Sequence, residues 1–102
     1  MANKWEIWLA NVKFDDAPNS VKRRPVLVLD HNAAYILSVK ITSHAPRPNF
    51  KGEYALKFWK IAGLAKPSTA RLSKKLKLQD TDLVRKIGRL HPVDIIYIQK
   101  LL

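Results

Sequence analysis

The segment Ser20–Asp30, SVKRRPVLVLD, sets three consecutive cations, Lys22, Arg23 and Arg24, against a proline and a run of β-branched and leucyl residues with the composition of a buried strand. Cations on a solvated loop say little, because charged side chains fill most protein surfaces. Cations tied to the mouth of a rigid strand stand where a site needs them. A second segment, KITSHAPRP, ends a strand at Thr42 and Ser43 and continues through His44 and Arg47. Hydroxyls at a strand end beside arginines can hold a phosphate. The same set can stabilise the charge that builds on one during transesterification. Alone the hydroxyls are uninformative, since Thr is common in strands and Ser at their ends. An ion pair with Asp15, Asp16 or Asp30 is the competing role for Arg24.

The charge map extends this basic character. Between Glu53 and Asp80 the chain has no carboxylate, yet it carries Lys57, Lys60, Lys66, Arg71, Lys74, Lys75 and Lys77. Tyr54, Phe58 and Trp59 are interleaved with them, and aromatic faces among cations can stack single-stranded bases while phosphates are neutralised. For Phe58 a place in the core is the better reading. The formal net charge of +11 creates a field that attracts polyanions, which directs attention to nucleic acid, an anionic membrane or an acidic protein segment.

Other classes are disfavoured. There are no cysteines, which removes disulfides, thiolate zinc sites and a thiol nucleophile and fits a reducing cytoplasm. His31, His44 and His91 are isolated from one another and from carboxylates at metal-ligand spacing, so neither a metal nor any other cofactor is expected. There is no phosphate-binding glycine loop and no nucleophile elbow. The start, MANKWEIWLANVKF, does not read as a signal peptide, and no apolar run approaches the roughly 20 residues that span a bilayer. The expectation is a soluble cytoplasmic protein that does not bind a membrane.

The elements that must position these groups are mostly strands. A chain of 102 residues with 47% hydrophobic and 26% charged residues fits one domain, residues 1–102, with a modest core. Alternation predicts a first strand over Trp5–Phe14, with Trp8, Ala10, Val12 and Phe14 on one side, and DDAPNS supplies turn residues. PVLVLD predicts a strand buried on both faces, and Ala34–Thr42 the second arm of an antiparallel hairpin. SHAPRPNFKG is a loop, Glu53–Trp59 a fourth strand and STARLSK a short fifth. Leu83, Ile87 and Leu90 behind Asp80 have helical spacing, so DTDLVRKIGRL is expected to be helical despite Gly88. HPVDIIYIQKLL, with Pro92 in a first-turn position, is a second helix or a closing segment. The sum is an α+β, mainly β fold, a strongly bent sheet or barrel with a C-terminal helix against it.

KRRPVLVL, then KITSH, then AGLAKPSTARL and KIGRLHPVD, in that order over essentially the whole chain, resemble the PemK/MazF family of bacterial type II toxins. The resemblance implies a small Src-homology-3-like β-barrel with a C-terminal helix. It also implies a metal-independent endoribonuclease acting on single-stranded RNA or mRNA, a homodimer, and an antitoxin with an acidic disordered tail. Carried over by motif, Arg24 and Thr42 are the catalytic pair, for attack of the ribose 2′-hydroxyl on the adjacent phosphate. Lys22, Arg23, Ser43, His44, Arg47, Lys66, Ser68, Arg71, Lys74, Lys75 and Lys77 form the expected RNA-binding set. Many members carry an acidic residue in the segment that here reads IAGLAKPS, so the general base is open between His44, Glu53 and water. Two alternatives share the fold: a toxin that grips gyrase, and a noncatalytic nucleic-acid-binding module.

Overall fold

A computed structural model describes residues 2–13, 20–49 and 51–102. The chain order is β1 (Glu6–Lys13), β2 (Val21–His31), β3 (Ile36–Thr42), β4 (Glu53–Ala55), β5 (Thr69–Leu78), a 3₁₀ turn at Asp80–Asp82, β6 (Leu83–Arg89) and α1 (Pro92–Leu101). The strands form one antiparallel sheet in the order β4-β5-β3-β2-β1-β6. Phe14 and the expected turn from Asp15 to Asn19 lie outside the described residues.

The apolar run of β2 is buried on both faces, as its composition implies. Leu27 and Leu29 enter the larger core with Ile7, Val39, Ile41 and Ile98 of α1, whereas Val26 and Val28 enter a smaller one with Ala10, Val12, Ile36 and Leu78. Trp8, Ala10 and Val12 share that smaller cluster, so the facing expected for β1 holds over its described residues.

The sheet is not closed into a barrel, a correction to the expected architecture. Among the described residues, β4 has three residues and pairs only with β5, and β6 pairs only with β1. The space between these edges is filled by the β4–β5 connection and α1, which contribute Leu56, Ala62, Leu64 and Ile98 to the larger core. The fourth strand therefore stops at Ala55 rather than Trp59. Its continuation turns through hydrogen bonds from Ala62 N–H to Phe58 O (3.1 Å) and from Leu64 N–H to Trp59 O (3.1 Å).

The helix expected over 80–90 is also corrected. Asp82 accepts the Gln79 backbone N–H at 2.8 Å and closes a single 3₁₀ turn, after which the chain becomes β6. The register against β1 runs Ala10–Leu83, Leu9–Arg85, Trp8–Lys86 and Ile7–Gly88, so Val84 and Ile87 are bulge residues without a partner in the ladder. Two bulges in seven residues disrupt the strand's period of two and leave apolar side chains at a spacing that imitates a helix. The free edge of β1 decides the outcome, because its backbone groups need partners. The expected C-terminal helix is present as α1, with His91 Nδ1 accepting the Val93 N–H at 3.1 Å and Pro92 in the first turn.

β1 and β6 are also joined through Glu6, whose side chain is nearly buried. Its Oε1 accepts from Asn3 N–H (2.8 Å) and Trp8 Nε1 (3.0 Å), and its Oε2 lies 2.8 Å from Lys86 Nζ. Burial alone would raise the pKa, but the bonds from Lys86, Asn3 and Trp8 outweigh it and hold the group at about 2. A folded-state pKa below the ordinary 4.5 means that the unfolded chain takes up the proton first on acidification. This contribution is therefore fully present above about pH 4.5 and lost as pH falls through about 2. Thermal unfolding followed from pH 6 to pH 2 is expected to show Tm falling across that window, and Glu6→Gln to flatten the fall.

Candidate active site

The β2–β3 ladder pairs Val28 with Ser38, Leu27 with Val39 and Val26 with Lys40. Two residues beyond the last pair on each strand stand Arg24 and Thr42, on the face that carries Val26 and Lys40. Both line a cleft of about 430 Å³, together with Ser43, His44, Lys66, Ser68, Arg71, Lys40 and an apolar wall of Val12, Pro25, Ile41, Leu64 and Ala65. The cleft thus gathers seven of the expected site residues, from β2, β3, the loop after β3, the β4–β5 connection and β5. Among the described residues, none that lines the cleft is acidic.

Arg24 is exposed. Among the described residues it makes no ion pair, and Nη1 donates only to the Arg23 carbonyl at 3.5 Å. The competing pairing with Asp30 is not formed; Asp15 and Asp16 lie outside the described residues. Thr42 Oγ1 accepts the His44 N–H at 3.4 Å, which leaves the hydroxyl proton available to a ligand. The hydroxyls of Ser68 and Thr69 are otherwise engaged. Ser68 Oγ donates to Lys66 O at 2.7 Å, fixing the β4–β5 connection where it meets the cleft, and Thr69 Oγ1 donates to His44 O at 2.6 Å, fixing the loop after β3.

Lys22, Arg23, Arg47, Lys74, Lys75 and Lys77 do not line the cleft. Lys22 and Arg23 are exposed on β2 just before Arg24. Arg47 binds Glu53 through Nη2 at 2.8 Å. Lys74, Lys75 and Lys77 are exposed on β5, with Lys77 Nζ 4.9 Å from the centre of the Tyr35 ring. Replacing these three β5 lysines by alanine is expected to weaken RNA binding evenly across sequences. The slope of log affinity against log salt should fall by about 0.7 for each phosphate contact removed, as measured by salt titration.

The interleaved aromatics do not form a base-stacking platform. Tyr54 donates its hydroxyl to Asp94 at 2.6 Å and stacks on Tyr97, Phe58 stacks on His91 with ring centres 3.9 Å apart, and Trp59 packs on the larger core. Burial and the bond to Asp94 push the Tyr54 pKa well above its ordinary value. Asp94, fully buried, also accepts Lys57 N–H and Phe58 N–H at 3.0 Å. These contacts lock α1 to the turn after β4.

Lys40 is a cleft residue that the motifs alone did not single out. The signal was present, since a residue two before Thr42 on a strand must share its face. Arg71 stands directly opposite Lys40 because β5 bulges: the ladder jumps from Val39–Lys75 to Lys40–Arg71, leaving Leu72, Ser73 and Lys74 without partners in β3.

A sequence comparison with curated proteins finds no match. Among solved structures the fold is similar to the Mycobacterium tuberculosis toxin MazF-mt6, with a TM-score of 0.69 and 21% identity over 94% of this chain and 90% of that one. It is also similar to a second solved Mtb toxin, with a TM-score of 0.61 and 20% identity over 76% of this chain and 87% of that one. The family model for the PemK-like, MazF-like toxin of type II toxin-antitoxin systems matches residues 3–102. With a family model matched along nearly the whole sequence and a fold similar to a MazF toxin, the chain belongs to the PemK/MazF-like toxins of type II toxin-antitoxin systems.

Proposed function

We propose that this toxin is a metal-independent endoribonuclease that cuts single-stranded RNA, mRNA included, at selected sequences. The ribose 2′-oxygen attacks the adjacent phosphorus, the bond to the 5′-oxygen breaks, and the products are a 2′,3′-cyclic phosphate and a 5′-hydroxyl. The observation that carries this reading is the placement of Arg24 and Thr42 on one face of the β2–β3 pair, in a cleft lined by Lys40, Lys66 and Arg71 and, among the described residues, by no carboxylate.

Arg24 presents a guanidinium, a planar cation with N–H donors and no acceptor, to the oxygens of the pentacoordinate phosphorane. Thr42 donates its free proton to a phosphoryl oxygen. Of the two side chains that the sequence offers as base, His44 lines the cleft and Glu53 does not. His44 is assigned the 2′-proton, which it or water returns to the leaving 5′-oxygen.

RNA of defined sequence incubated with the protein in EDTA is expected to be cut to cyclic-phosphate ends, and a 2′-deoxy nucleotide at the cut position to abolish cutting. Continued cutting of that substrate overturns the mechanism. Binding without cutting identifies the nucleic-acid-binding module, and neither outcome identifies a protein-directed poison.

The family implies an antitoxin partner, and the charge of +11 supports a partner segment that is acidic, disordered when free and in competition with RNA for the cleft. A homodimer in the bacterial cytoplasm completes this reading.

A further inference from the structure

Glu53 is the carboxylate nearest in sequence to the cleft loop, and its place is unusual for an acid in so basic a protein. It stands on edge strand β4 with its side chain only 3% exposed, directly opposite Arg71, which is itself directly opposite Lys40 on β3. Glu53 Oε2 accepts Arg71 Nε at 3.3 Å and Arg47 Nη2 at 2.8 Å, while Oε1 accepts the Arg47 backbone N–H at 3.0 Å. Two cations facing each other across a ladder repel. The carboxylate behind Arg71 offsets that repulsion and keeps the guanidinium in the row.

The mode of attachment matters. Arg71 is held through Nε, so among the described residues both terminal amino groups, with their four N–H donors, have no protein partner, and the side chain lines the cleft. The same carboxylate anchors Arg47 and hence the loop that carries Ser43 and His44, which is also held by the Thr69 hydroxyl on the His44 carbonyl.

We propose that Glu53 is a positioning residue: it grips Arg71 from behind and presents the outer edge of that guanidinium as a second phosphate fork beside Arg24 and Thr42. This rests on the ribonuclease reading only for the identity of the polyanion. The hydrogen bonds from Arg47, with the charge of Arg71 adding to them, hold the Glu53 carboxyl at about 2 despite its burial. The clamp is therefore ionised at neutral pH and unsuited to act as a base there. The phosphate taken by Arg71 is a neighbour of the one held by Arg24 and Thr42, bound in the planar geometry that a guanidinium supplies and an ammonium does not.

Positioning and simple charge predict opposite signs. Removing a carboxylate beside a polyanion site raises the local positive charge and by itself tightens binding, whereas removing a clamp loosens it. The probe is a 2′-O-methyl RNA 12-mer of randomised sequence, which cannot be cut, so the result is independent of whether the natural RNA is cleaved. Fluorescence anisotropy at low salt is expected to show Glu53→Gln binding about tenfold more weakly than wild type, as for loss of a charge-assisted contact. In an Arg71→Ala background the same change is expected to alter affinity less than about twofold. Equal or tighter binding by Glu53→Gln, or an undiminished effect without Arg71, overturns the proposal. Arg71→Lys, which keeps the charge but loses the fork, gives the answer independently if Glu53→Gln does not fold. A loss of about tenfold supports the fork, and unchanged affinity overturns it.

Discussion

Arg24→Ala is expected to slow RNA cleavage by about 10² to 10³ while leaving the protein folded, and Thr42→Ala to act in the same direction. The rate loss follows from the donors that Arg24 would direct at the phosphorane. Stabilisation aimed at charge that exists only in the transition state is typically worth that factor per group. The small stability effect follows from the surroundings of Arg24, since the side chain is exposed and its one hydrogen bond among the described residues is 3.5 Å long. An exposed change of this kind usually shifts stability by no more than about 0.5 kcal/mol. Single-turnover cleavage together with a thermal melt separates the two. Wild-type turnover in Arg24→Ala would remove the arginine from the mechanism, and a large fall in Tm would mean that the rate loss reports unfolding.

The largest stability effect is expected from a methyl group. A Cβ on Gly88 would lie 2.0 Å from the Ala62 carbonyl oxygen and 2.9 Å from its carbonyl carbon. Both are backbone atoms of the connection that fills the gap between β4 and β6, so no side-chain rotation relieves the clash. The connection must move off β6, and Ala62 and Leu64 with it leave the larger core. Gly88→Ala should therefore cost about 3 kcal/mol or more, at the upper end for overpacking. The expected result is a Tm lower by more than about 10 °C for a chain of this size. Gly63 faces the same seam, at φ +100°, where a methyl group would stand 2.6 Å from the Ile87 carbonyl oxygen. Gly52→Ala is the contrasting case. Its φ of +80° is unfavourable, but the nearest atom would be at an ordinary 3.5 Å, so the cost is about 1 to 2 kcal/mol. A Gly52 variant less stable than the Gly88 variant would show that the contact between the connection and β6 does not support the fold.

Gly88 also illustrates how far sequence reasoning reaches. In the linear pattern it is an interruption within Leu83, Ile87 and Leu90, whose spacing is helical. In the structure it is the residue that lets another segment's backbone approach a bulged edge strand. Periodicity records only which side chains are buried along a regular element, and two bulges remove the regularity. β2 is the opposite case. Its four consecutive buried residues, Val26 to Leu29, leave few options to a short β-branched run after a proline, so the element and its two-sided burial were legible.

The same division holds at the cleft. Sequence by itself determined the family resemblance, the pairing of Arg24 with the Thr42 segment and the basic balance, because these reside in residue types, their order and their spacing. Lys40 was not singled out there, although the alternation that every strand imposes puts it on the face of Thr42. Tertiary structure alone decided which cations meet. Arg71 reaches the cleft because three residues of β5 are unpaired opposite β3, whereas Lys74, Lys75 and Lys77, close by in sequence, fall outside it. Glu53 reads in the sequence as a candidate base and in the structure as the partner of two arginines. The physical reason is register. A bulge or a pairing offset changes which residues stand opposite one another without changing the local preference of any of them, so it is set by packing across the whole sheet.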